Sequence, residues 1–484
     1  MASAEHVAYD QRTTTPSLRS GSIGTVGMIF MVVAAAAPLT ALASNIAIAI
    51  AAGSGTGTVG LFVVVAAVLA VFSVGYLRLA RYVRSAGGQS AFVSFGMGKP
   101  AGSAVAMANA VGLNAGSAAM AVAAGLFLSV TIEQFGGTAI PWYVGTLLVF
   151  LMLAAMARRG VQTAEKVTVV CSVLQFLFVG VLAVAVLVQH PDGWTLSPFD
   201  PGVTFSGNVA VGIVFVIFCF AGFESSTIYS EESRGGHRSV VTATYLSLVL
   251  LTVIFVVSTW TLVAGTPDVV SVATTDPTAL VPAIVARYLG EWAAGMVLLL
   301  VVVSFAGAAV AFHNMAVRYQ FALARAQLLP AALMRTSGAR RSPHVSALCQ
   351  VGFSLVLVTP FVIGGVDVFR TLLPSIGGIT SVCILLVMIS ASVSVIVARA
   401  RDKIDGGVWA TRIAPGVAAL LLAATAVLVA FNYAAVTGSD SPYIVLLPLI
   451  PIAALLYGGI RQARLPDSPG VEGPTTTTTS TTAG

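Results

Sequence analysis

Phe218-Cys219-Phe220-Ala221-Gly222-Phe223-Glu224-Ser225-Ser226-Thr227-Ile228-Tyr229-Ser230-Glu231-Glu232 decides how this chain folds. It begins inside an apolar run, Val209 to Phe220, that reads as a membrane helix. The run then meets Ala-Gly, one carboxylate and three consecutive hydroxyl residues, and leaves in an acidic pair. Glu224 is the one acidic residue of the chain that falls inside an apolar span. A carboxylate is costly in hydrocarbon, so it faces a cavity or pathway and marks a functional position. Ser225, Ser226 and Thr227 can satisfy backbone groups freed where the helix breaks at Ala221-Gly222. Two roles stay open for Glu224. It is a proton-coupling or pH-sensing group, or it caps the second half of the helix as a structural, ionised residue.

The composition around this stretch belongs to a membrane protein. Of the 484 residues, 57% are hydrophobic and 9% charged, against about 25% charged in a soluble domain. Apolar runs recur that are long enough to cross a hydrocarbon core of about 30 Å. Twelve spans are expected, at about 23–52, 57–77, 101–130, 139–157, 165–189, 208–229, 240–264, 292–317, 345–364, 371–398, 413–436 and 442–460. This makes 1–22 a polar N-terminal tail, 23–462 the membrane domain, and 463–484 a Thr-rich tail expected to be disordered. The first 20 residues lack the apolar core and cleavage site of a signal peptide. The four cysteines fall in spans without metal-ligand spacing and read as small core residues, with no disulfide expected.

Charge fixes the expected orientation. Alternate connections hold 22 of the 24 basic residues, and only Arg287 and Arg370 remain for the other side. The positive-inside rule therefore places both termini in the cytoplasm of a cell-membrane protein. The net charge of +6 is membrane topology by this reading, and no nucleic-acid partner is expected.

The first span carries a second interruption. Ala34-Ala35-Ala36-Ala37-Pro38-Leu39-Thr40 places tiny side chains before a residue that removes a helix hydrogen bond and clashes with the preceding turn. Interrupted helices in corresponding positions of two halves point to a transporter's binding site. Spans 1 and 6 occupy such positions if 23–189 and 208–398 are inverted repeats, with 413–460 as two extra helices. In span 3, small residues at three- and four-residue spacing let helices approach closely. There Asn109 reads as a bridge between helices, and Asn114 as either a bridge or a cavity residue. Outside segment 266–291 is long, and Pro277–Leu289 reads as a short surface helix acting as a lid.

Three motifs carry a resemblance. Phe220 to Glu224 with Tyr229 to Glu232 resembles the sixth-helix signature of amino acid–polyamine–organocation (APC) superfamily permeases. Arg318 to Pro330, followed by Ser342-Pro343-His344, is similar to the segment after their eighth helix, and Gly87-Gly88 after Arg84 resembles their helix 2–3 loop. The likeness runs from about Gly24 to Arg461. It implies a five-plus-five inverted-repeat fold and secondary transport or exchange of amino acids or related amines. It also implies that unwound backbone at Ala35, Ala36, Ala37, Pro38, Leu39 and Thr40 receives a carboxylate. Phe220, Ala221, Gly222 and Phe223 would receive the amino group, and Phe218 matches an aromatic gate. The chain departs from the family in two places. Alanines stand where many amino-acid permeases have a Gly-Ser-Gly run, and Gln175 stands where several proton-coupled relatives have a lysine. Proton coupling is the expectation attached to Glu224, with sodium coupling open and no cofactor expected.

Other classes fit less well. A membrane-embedded enzyme needs nucleophiles, metal ligands or paired carboxylates together. Of the five histidines only His313 lies in a span, and it reads as an interfacial or packing residue. No selectivity-filter motif or ring of charges marks a channel. A polyamine or other organic-amine permease, or a sensor on the same fold, are the alternatives.

Overall fold

A computed structural model describes residues 24–35, 38–83, 88–159, 162–223, 226–227, 236–336, 343–466, 468 and 470. Side chains are described for all of these except 30, 31, 33–35, 157–159 and 162–172. Among the described residues the chain is all helical, without a strand. The principal helices are α1 (Thr25–Ala35), α2 (Pro38–Ala41), α3 (Thr58–Tyr82), α4 (Gln89–Met97) and α5 (Lys99–Gln134). They continue with α6 (Trp142–Arg159), α7 (Gln162–Gln189), α8 (Val209–Cys219), α9 (Gly236–Gly265), α10 (Leu280–Leu289) and α11 (Glu291–Arg325). The last are α12 (His344–Ile363), α13 (Leu373–Ala400), α14 (Ala414–Phe431) and α15 (Leu449–Ala463).

Seven described helices are long and apolar enough to cross a membrane: those ending at Tyr82, Gln134, Gly265, Arg325, Ile363, Ala400 and Phe431. The other expected spans carry shorter or bent helices. Trp142–Met156, Val209–Cys219 and Leu449–Ala463 are short, and Val173–Gln189 turns through 106° into Pro191–Phe199.

Helix α5 sits at the centre, with 72% of its apolar window buried, whereas the window of α14 is 28% buried. Its small side chains explain this position. A Cβ on Gly112 would lie 2.6 Å from Cys383 of α13, and one on Gly116 would lie 2.7 Å from Phe312 of α11. Neighbours thus approach to backbone distance, which larger residues would prevent. The exterior is apolar: Leu148 and Leu151 of α6, Val184 and Val188 of α7, and Leu420 of α14 are exposed. Such a surface suits lipid and not water. No Asp, Glu, Lys or Arg is buried among the described residues.

The basic end is tied together through backbone carbonyls. Arg401 Nη1 donates to Gly96 O (3.1 Å) and Lys403 Nζ to Phe95 O (2.7 Å), which caps the C-terminal end of α4 with positive charge. Ser468, in the segment expected to be disordered, is buried. Its Oγ donates to Ala326 O (2.5 Å), and its own carbonyl accepts from Lys99 Nζ (3.2 Å).

At the opposite end segment 266–291 folds as two helices, Val269–Thr275 and α10; α10 falls within the expected Pro277–Leu289 helix, with Leu280, Val281, Ile284 and Val285 buried against the bundle. Arg370 Nη2 donates to Thr274 O (2.7 Å), at the negative end of the first of them, and Thr274 Oγ1 reaches Ala51 O (3.4 Å). The second begins at Leu280 because Asp276 first closes a turn, accepting from the Thr278 and Ala279 amides.

Candidate functional site

The expected interruption of span 1 falls on Ala36 and Ala37, outside the described residues: α1 is described as far as Ala35, and from Pro38 the chain is helical as α2 and then as two wider π turns, Leu42–Ile46 and Ala49–Gly53. Leu39 N–H donates to Gln175 Oε1 at 3.3 Å. Gln175 is 1% exposed, so α7 supplies an uncharged acceptor to a main-chain amide inside the bundle. Thr40 O accepts from Ser44 Oγ (2.8 Å), which steadies the first π turn.

Helix α8 stops at Cys219. The amides of Phe220 and Ala221 turn back to Ile217 O and Phe218 O, and Gly222 takes φ +92°. That conformation belongs to glycine, and a Cβ there would meet nothing within 4 Å, so the requirement is backbone conformation alone. Beyond the break, Thr227 Oγ1 bonds Tyr76 OH (2.6 Å) and Ser226 Oγ bonds Thr244 Oγ1 (2.6 Å). Hydroxyls downstream of the break are thus held by α3 and α9.

The two interrupted segments touch. A Cβ on Gly53 would lie 2.8 Å from Gly212 Cα, and Asn208 N donates to Gly53 O at 3.0 Å.

The expected site residues divide into two groups. Phe220 joins Phe62 and Phe255 in a three-ring cluster, with centroids 5.3 to 6.0 Å apart, and Phe223 meets Phe72 edge-on at 6.2 Å. Both rings are buried. Phe218 instead faces Phe312 of α11 at 6.5 Å, and α2 also lies against α11. Pro38, Leu39 and Thr40 are buried, and Ala221 and Gly222 are partly exposed. Ala36, Ala37 and Glu224 lie outside the described residues, as does the Ala35 side chain.

Buried polar residues in the scaffold follow one expected alternative in two cases and depart from expectation at Asn109. Asn114 is the bridge: its Oδ1 accepts from Gln320 Nε2 (2.9 Å), joining α5 to α11. Asn109 lines a cleft at the basic end. His313 is buried and not interfacial, with Nδ1 2.5 Å from Gln350 Oε1, whose Nε2 donates to Ser354 Oγ (3.0 Å). An amide oxygen only accepts, so Nδ1 carries the proton.

Residues 23–454 match the family model described as amino acid permease. A Bacillus subtilis (strain 168) protein described as the uncharacterized amino acid permease YecA is 30% identical over 185 residues, covering 37% of this chain and 41% of the relative. The branched-chain amino acid permease BcaP of the same organism is 22% identical over 211 residues, 43% of this chain and 44% of the relative. The chain thus matches less than half the length of either relative. With nearly its whole length covered by the family model, the chain belongs to the amino acid permease family of the APC superfamily.

Proposed function

We propose that this chain is a secondary transporter that moves neutral amino acids across the cell membrane by alternating access, through a site between the two interrupted helices. The carrying observation is the end of α8 at Cys219 and the turn at Gly222, beside a first span whose Leu39 amide is held by Gln175; an interruption of that span at Ala36-Ala37 belongs to the proposal. A helix N-terminus carries partial positive charge and suits a carboxylate, and a helix C-terminus suits an ammonium group. The pair offers complementary poles to a zwitterion. Phe218 and Phe312 supply an apolar wall for a side chain. The name of the BcaP relative favours branched aliphatic substrates.

The fold that goes with this function has twelve spans, with 23–189 and 208–398 as inverted repeats and both termini in the cytoplasm. Glu224 is the proton-coupling group. A polyamine is the less suitable cargo, because no carboxylate is buried among the described residues to balance its charges. Purified protein in proteoliposomes tests the reading. Saturable counterflow of radiolabelled L-leucine, unaffected by excess putrescine, is expected. Binding without flux would make the protein a sensor, and putrescine counterflow without leucine flux would make it a polyamine permease.

A further inference from the structure

We propose that Gly377 of α13 is a specificity-determining residue: it leaves a recess into which the Phe218 ring backs when a leucine-sized side chain enters the site. The inference rests on the transport reading above and deepens it, by naming what sets the size of the substrate.

A glycine inside a helix needs a reason, because it carries an entropic cost that alanine does not. In this bundle the usual reason is close packing. A Cβ on Gly96, Gly102, Gly112, Gly116 or Gly458 would come within 3.0 Å of a neighbouring helix. Gly378 follows the same rule, since a Cβ there would lie 2.6 Å from Tyr433 OH, which donates to Ser375 O. Gly377, the residue before it, does not. It is buried within α13 at an ordinary helical φ, yet a Cβ there would meet only Phe218, at 3.7 Å from Cε1 and 3.9 Å from Cδ1. Among the described residues it is the one buried glycine outside the left-handed region whose Cβ would meet nothing closer than 3.0 Å. A methyl-sized gap in a packed core costs stability, and this one borders a single ring.

That ring belongs to the last turn of α8, just before the turn at Gly222. Phe218 has Phe312 of α11 as one neighbour, at 6.5 Å, and the bare main chain of α13 as another. A ring walled in on every side can only exclude, whereas a ring with a methyl-wide recess can yield. With Phe218 forward the site fits a small side chain. With Phe218 set back against Gly377 it admits a branched aliphatic one. A methyl group at position 377 removes the recess and shifts the size limit toward smaller amino acids.

Equilibrium binding of radiolabelled L-leucine and L-alanine to the full-length protein in nanodiscs tests this, with melting temperatures for each variant. Gly377→Ala is expected to lower the leucine-to-alanine affinity ratio about tenfold, the lower end for one methylene in an apolar pocket. Its melting temperature without ligand is expected to rise, since alanine fills the gap at an unstrained helical position. Phe218→Leu added to Gly377→Ala gives back the space and is expected to restore the ratio. A parent-like ratio or a lower melting temperature in Gly377→Ala overturns the role of Gly377 and leaves the transport reading standing. So does a lowered ratio that Phe218→Leu fails to restore. Neither binding nor uptake of either amino acid by the parent overturns both.

Discussion

Gln175→Leu is the substitution that most directly probes the break in the first span. Leucine nearly conserves volume and removes only the acceptor, so Leu39 N–H, buried at the start of α2, loses its partner. Leaving a buried donor unsatisfied costs about 1–3 kcal/mol, which corresponds to roughly 5- to 150-fold in an equilibrium constant. The bond is 3.3 Å long, beyond the usual range for N–H···O contacts, so the lower end applies, about 1 kcal/mol or roughly fivefold. If the helix start at Pro38 receives the substrate carboxylate, this penalty falls on the binding-competent geometry. Substrate Kd is then expected to rise about fivefold, with a lower melting temperature for the unliganded protein. Scintillation-proximity binding and a thermal-shift scan on the two proteins are sufficient. A Gln175→Leu protein with the parent's Kd and melting temperature would refute the role given to this hydrogen bond.

Gly222→Ala isolates backbone conformation from crowding, because the new Cβ meets no neighbour while φ stays at +92°. A destabilisation of about 1–2 kcal/mol is expected, read as a lower melting temperature; an unchanged one would show that the turn relaxes freely. For topology, Ser206→Cys and Thr336→Cys, both at exposed positions and in a background without the four native cysteines, should label oppositely with an impermeant thiol reagent on intact cells. Labelling of position 336 from outside would reverse the orientation. Glu224→Gln removes titration and keeps an acceptor, so it should fold, exchange substrate and show a flattened pH profile of uptake. A profile identical to the parent's would end the proton role for Glu224.

Much of this architecture is legible in the sequence because apolar length, proline and glycine act locally. The interruption at Ala221-Gly222 and the close packing of α5 both follow from residues at those positions. What is not legible depends on partners distant in the chain. Gln175 stands out in the sequence by its position in span 5, yet its bond to Leu39 spans 136 residues. Phe218, Phe220 and Phe223 are alike in sequence, and only the placement of α3, α9 and α11 shows two of them packed on rings of α3 and α9 and one against Phe312. Asn109 differs from its expected bridging role, and Asn114 takes the bridging one of its two, for the same reason: five residues of helix separate a side chain facing Gln320 from one facing a cleft. Helix α4 went unread because nine residues between Gly88 and Gly98 are too short for a span and look like a connection. Ser54, in a loop by hydropathy, is 2% exposed because the turn that carries it is folded against α8.

The contact between Gly53 and Gly212 also limits how this gene can drift. A methyl group added at position 53 would collide with main chain, and no neighbouring substitution shrinks a main chain. Position 212 has already given up its side chain, and a methyl group there would run into Leu61 Cδ1 at 2.6 Å. Leu61 can be replaced by something smaller, so the second site has an escape by way of α3 that the first lacks. Mutational tolerance across this crossing is therefore lopsided: variants at 212 can be rescued by a change elsewhere, and variants at 53 cannot. The two codons form one heritable unit in which 53 is the fixed member.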